Sequence, residues 1–108
     1  MPDVRQRLRE SLKAALKSRD EIASAALRSA LSAIANGEAV DPAPNRVRLG
    51  VGAADVPRRE LSDAEVTAII QAEIDERLHA AADYERLGQD GQARRLRSEG
   101  DVLRALLS

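Results

Sequence analysis

A chain of 108 residues, 44% apolar and with a net charge of −1, is about one small domain of sequence, read here as a single domain over residues 1–108. Twenty alanines, one aromatic residue (Tyr84) and no cysteine exclude a disulfide scaffold and any cysteine-ligated metal or cluster, and they disfavour a β-sandwich. No apolar run approaches the roughly 20 residues of a membrane span, and the charged start from Met1 to Arg9 lacks the apolar segment of a signal peptide, so the expectation is a cytoplasmic protein with no membrane partner.

The elements follow in chain order. Val4, Leu8, Leu12, Ala15 and Leu16 recur at helical spacing after Asp3, a suitable N-cap, and predict a first helix ending near Ser18. Arg19-Asp20 breaks it. A second helix carries Ile22, Ala26, Leu27, Ala30, Leu31 and Ile34 on one face and is expected to stop at Asn36-Gly37, two residues that tolerate the left-handed conformation. The short break predicts an antiparallel hairpin rather than one long bent helix. Residues 38–60 read as a long irregular loop, punctuated by Pro42, Pro44, Gly50, Gly52 and Pro57, with Val47, Leu49 and Val51 alternating in a short extended piece.

Ser62-Asp63-Ala64-Glu65 is a capping box that opens a third helix, with Leu61 and Val66 placed as a hydrophobic staple. Its apolar face is Val66, Ile69, Ile70, Ile74, Leu78, Ala81 and Tyr84, up to Leu87-Gly88. The fourth helix runs from Gln89 or Gln92 to Leu107, with Ala93, Leu96, Leu103 and Leu106 inward. Gly100 in its interior costs about 1 kcal/mol relative to Ala and marks a weak point or a close helix crossing. The expected fold is all-α, a small four-helix bundle of two helical hairpins.

Charge is uneven along this bundle. Residues 1–36 carry seven basic and four acidic groups, whereas residues 61–87 carry two and seven, so a polyanion is expected to meet the first hairpin. Arg5, Arg9, Lys13 and Lys17 stand at successive i+4 steps, about 6 Å apart along the axis, a spacing that suits the phosphates of one RNA strand. Arg28 and the pair Arg58-Arg59 extend this candidate RNA-binding set. The competing reading is a solvated flank whose aliphatic stems cover the edge of the core, the ordinary state of a surface helix. No aromatics are interleaved, which argues against stacking on single-stranded bases.

The inventory for catalysis is poor. A serine triad needs an oriented His, and the one histidine, His79, lies mid-helix among Asp75, Glu76 and Asp83, far in sequence from Ser62. Gly50-Val51-Gly52 lacks the third Gly, the preceding strand and the Lys of a phosphate-binding loop. Glu76-x-x-His79 is one half of a di-iron pattern, but one chain with one His cannot complete it, and the alternative is a solvated acidic face with Glu73 and Arg77 as an i,i+4 pair. The expectation is no catalytic residue, no metal and no cofactor.

The order of short blocks resembles a known family. Leu12-Lys13, Lys17, Arg19-Asp20, Leu27-Arg28, Ile34 and Asn36 match the opening blocks of the GatB/YqeY family; Leu61-Ser62-Asp63-Ala64-Glu65-Val66 and Glu73-Ile74-Asp75-Glu76-Arg77 resemble its second half, and Tyr84 to Gln89 fall where it has an aromatic and a Gly-Arg. No one block is catalytic; the specificity lies in their joint order over nearly the whole chain.

The resemblance implies a helical module related to the C-terminal appendage of the B subunit of the glutamine-dependent Asp/Glu-tRNA amidotransferase, which holds tRNA in register while other domains carry out amidation. It implies as partners tRNA and the amidotransferase or an aminoacyl-tRNA synthetase. Against the family pattern, this is expected to be a short form: Leu106-Leu107-Ser108 replaces the Leu-Pro that leads into a distal helical domain, and the 38–60 loop exceeds the usual connector. The leading expectation is a non-catalytic adaptor around tRNA or tRNA-dependent amidation. Two others stay open: a protein–protein module without RNA contact, and a carbon–nitrogen ligase with glutamine as amido-N donor, the label that family members inherit. The residues do not specify an oligomeric state.

Overall fold

The computed structural model describes residues 3–39 and 60–108. They form four helices, α1 (Val4–Ser18), α2 (Glu21–Glu38), α3 (Asp63–Arg86) and α4 (Asp90–Leu106), with no β-strand among the described residues. The alternating piece at Val47, Leu49 and Val51 and the rest of 40–59 lie outside the described residues.

Local chemistry sets the helix ends. The Asp3 carboxylate accepts from the Gln6 amide at 2.8 Å and opens α1. At the other end Arg19 is left-handed (φ 59°), and the amides of Arg19 and Asp20 return to the carbonyls of Leu16 and Ala15, the closure of a Schellman motif. Asp20 immediately caps α2 by accepting from the Ala23 amide at 3.0 Å. Two residues therefore turn the chain. Arg5, at the start of α1, pairs with Glu38 at the end of α2, so the two helices form the expected antiparallel hairpin.

α2 does not stop at Asn36-Gly37; it continues to Glu38. Gly37 is needed for space rather than for a left-handed turn. A Cβ there would lie 3.1 Å from Ile69 Cδ1 and 3.2 Å from Leu61 Cδ1, so the missing side chain lets α2 approach the start of α3. The capping box is complete: the Glu65 amide donates to Ser62 Oγ at 3.2 Å and the Ser62 amide to Glu65 Oε1 at 3.0 Å. Leu61 and Val66, on either side of it, are both buried in the core.

Leu8, Leu27, Val66, Ile70, Ile74 and Leu103 are the largest fully buried side chains. Ala23, Ala26 and Ala30 supply much of the buried surface of α2, and their small size lets helices sit close. α3 and α4 share the broadest interface, α2 packs on α4, and α1 packs mainly on α2. Gly100 is buried inside an unbroken α4, and a Cβ there would meet Leu78 Cδ2 at an ordinary 3.8 Å, so the position has room for a methyl and marks neither a break nor a close crossing. The common core reaches along α3 to Ile74; Ala81 and Ala93 are buried beyond it, where α3 and α4 continue toward their turn at Leu87 and Gly88 (φ 76°).

Leu16 departs from the inward row predicted for it and is 45% exposed. The reason is helical geometry. Each i+4 step advances about 40° around an α-helix, so three steps carry Leu16 about 120° from Val4, and Ala15 takes the inward position instead.

Candidate functional site

The same drift separates the members of the basic row. Arg5 starts it beside the core, with its side chain 18% exposed, and is spent on the fold: it pairs with Glu38 and donates from Nη2 to the Leu61 carbonyl at 3.1 Å. That one guanidinium ties the start of α1 to the end of α2 and the entrance of α3. Arg9, Lys13 and Lys17 follow on the exposed flank, and none of the three enters an ion pair among the described residues. Arg58 and Arg59 lie outside the described residues.

Arg28, the α2 member of the set, is also exposed. It shares a surface depression of about 440 Å³ with Leu16, Arg19, Glu21, Ser24 and Ala25. The structure thus brings Arg28 together with Arg19 and Ser24, which the i+4 pattern on α1 does not single out. The signal in the chain was the neighbourhood of the Arg19-Asp20 break, where the turn folds the two helices back on each other.

A second polar constellation joins three helices. Arg77 on α3 donates to Glu99 Oε1 on α4 at 3.0 Å and to Glu73 Oε1 on its own helix at 3.0 Å. Ser29 on α2 donates to the same Glu73 oxygen at 2.7 Å, and Arg95 Nε reaches Glu99 Oε2 at 3.2 Å. Glu73, Arg77 and Glu99 are 16%, 12% and 11% exposed at the side chain. The pair expected on a solvated acidic face is therefore part of a nearly covered clamp. The i,i+4 spacings of Glu73–Arg77 and Arg95–Glu99 are visible in the chain; the link between them exists only because α3 and α4 pack. Glu76 and His79 are exposed, and Asp75 accepts a hydrogen bond from Gln71 at 3.0 Å. Among the described residues no three His, Cys, Asp or Glu side chains are grouped to hold a metal ion. The Ser62 hydroxyl is committed to the capping box, and His79 makes no hydrogen bond among the described residues.

A shallow groove of about 650 Å³ runs between α1, α2 and α4, its walls largely Ala14, Ala15, Ala23, Leu27, Val102 and Leu106. Arg7 lies at its edge, donating from Nη1 to the Ser108 carbonyl at 3.0 Å, while its buried Nε has no partner among the described residues. No helix among the described residues is long and apolar enough to cross a membrane.

No curated protein and no solved structure matches the chain. A family model does, over residues 5–108, a span that takes in all the blocks of the first and second hairpins together with the basic row and the α3–α4 clamp. The chain belongs to the YqeY family of Yqey-like proteins.

Proposed function

We propose that this protein is a non-catalytic helical adaptor of the GatB/YqeY type, working in the cytoplasm beside tRNA or the glutamine-dependent tRNA amidotransferase system. The observation that carries the reading is the run of cations at Arg9, Lys13 and Lys17 on one flank of α1, unpaired among the described residues, with Arg28 on the neighbouring helix. Cations held at regular spacing on a rigid helix and left without carboxylate partners suit phosphate contacts that position a nucleic acid without reading its bases. The choice of tRNA as that nucleic acid rests on the resemblance to the amidotransferase appendage, with which family membership agrees.

Three phosphate contacts from α1 give a slope of log affinity against log salt of about −2 to −3. Titration of bulk tRNA at two salt concentrations against the parent and the triple variant Arg9→Gln/Lys13→Gln/Lys17→Gln tests this. The parent binds weakly, with Kd no tighter than about 10 μM, the range of non-specific electrostatic contact; the variant folds and loses the interaction. A parent with no affinity, or with salt-independent affinity, overturns the RNA contact. Capture of partners from cell extract before and after nuclease then separates the two adaptor modes, since a protein partner that survives nuclease places the contact on protein. Neither glutamine hydrolysis nor ATP consumption accompanies binding, and turnover abolished by one substitution in this chain would restore the ligase reading.

A further inference from the structure

We infer that the α1–α2 turn carries a seat for a phosphate group, formed by the guanidinium groups of Arg19 and Arg28 and the Ser24 hydroxyl. All three residues line the depression of about 440 Å³, together with Leu16, Glu21 and Ala25. Ser24 is only 7% exposed, yet its hydroxyl has no hydrogen-bond partner among the described residues. Its oxygen still opens onto the depression, where it is free to bond a group that enters.

Arg19 and Arg28 are exposed and unpaired among the described residues. A guanidinium fork matches the oxygens of a phosphate bidentately. The amides at this end of α2 are already used, Ala23 by the Asp20 carboxylate and Ser24 by the Asp20 carbonyl, so the attraction for an anion comes from the two guanidiniums. Of the charged residues that line the depression, Arg19 and Arg28 are set against one carboxylate, Glu21, while the Asp20 carboxylate is turned to the Ala23 amide.

The depression is of a size typical of small-molecule sites. Leu16, 45% exposed, supplies it with apolar surface that a sugar or base can cover. The ligand class is a phosphate ester of about nucleotide size, either a free nucleoside monophosphate or a phosphate of an RNA strand. Lys13 and Lys17 flank Leu16 in the chain, so the row on α1 leads to this seat. The RNA form rests on the function proposed above; the phosphate seat does not.

The test is titration of the isotope-labelled protein, at low salt, with inorganic phosphate, adenosine monophosphate and a short oligouridylate, following the backbone amides by NMR. Saturable shifts centred on Arg19, Ser24 and Arg28 are expected, with at least tenfold weaker binding in Ser24→Ala/Arg28→Gln. Both substitutions are compatible with helix, and an unchanged thermal melt shows that the fold is intact. Shifts absent from these amides, or undiminished binding in the double variant, overturn the seat whatever bulk tRNA does. If phosphate and the monophosphate bind while tRNA does not, the seat stands with a free phosphate ester as its ligand and the RNA reading above fails. If the oligouridylate and tRNA bind and both weaken in the double variant, the seat is an RNA contact.

Discussion

Arg77 donates to Glu99 at 3.0 Å across the α3–α4 interface, with both side chains nearly withdrawn from water. Each charge is covered because the other is present, and the second Glu99 oxygen and the second arm of Arg77 are also bonded. Removing one partner leaves a poorly solvated charge, which is costlier than losing an exposed pair. Glu99→Ala is expected to destabilise the protein by about 2–3 kcal/mol. Arg95→Ala removes the member that is 51% exposed and costs about 0.5 kcal/mol or less. Denaturant unfolding of both variants measures the contrast, and equal losses would place the clamp in solvent.

The glycines at 37 and 100 are expected to answer differently to alanine. Gly100→Ala gains about 1 kcal/mol of helix propensity, and its new methyl finds Leu78 at ordinary van der Waals distance, 3.8 Å. Gly37→Ala gains the same propensity but sets its methyl 3.1 and 3.2 Å from Ile69 and Leu61, so the strain offsets the gain. Thermal melts are expected to rise for Gly100→Ala by several degrees and to rise less or fall for Gly37→Ala.

Arg19 holds a left-handed conformation that disfavours any side chain with a Cβ by about 1–2 kcal/mol. Arg19→Gly relieves this and gives up some of the benefit to a more flexible unfolded chain, for a net stabilisation of about 0.5–1 kcal/mol. Arg19→Val, β-branched at the same φ, loses stability. Denaturation midpoints of the two variants on either side of the parent are the expected result.

Arg5 and Lys13 belong to one row in the sequence and are expected to separate in the laboratory. Arg5→Gln breaks the links to Glu38 and Leu61 and costs about 1–2 kcal/mol of stability. Lys13→Gln leaves stability within about 0.5 kcal/mol. In RNA titrations the order reverses: Lys13→Gln flattens the salt slope by about 1, and Arg5→Gln, assayed below its unfolding transition, leaves it unchanged.

The elements of this fold were legible because their signals are local. Asp3, Asp20 and the Ser62–Glu65 box satisfy amides within three residues of themselves, and the i, i+4 recurrence of Val4 and Leu8 or of Ile70 and Ile74 needs no knowledge of a partner helix. The inward row on α1 was legible only as far as the drift of the pattern allowed, and Leu16 lies beyond that limit.

What the sequence by itself determined about this protein is the set of four helices, the caps, the two-residue turn and the family blocks, all set by residues near one another in the chain. Tertiary structure alone decided which charges are free. Arg5 and Lys13 are alike in type and spacing, but the end of α2 brings Glu38 to Arg5 and nothing among the described residues to Lys13. Glu99 gains Arg77 across 22 residues, and Arg19, Ser24 and Arg28 meet at one depression because the turn folds α2 back along α1. A charge finds its partner through space, and the distances that decide it are fixed only when the helices pack.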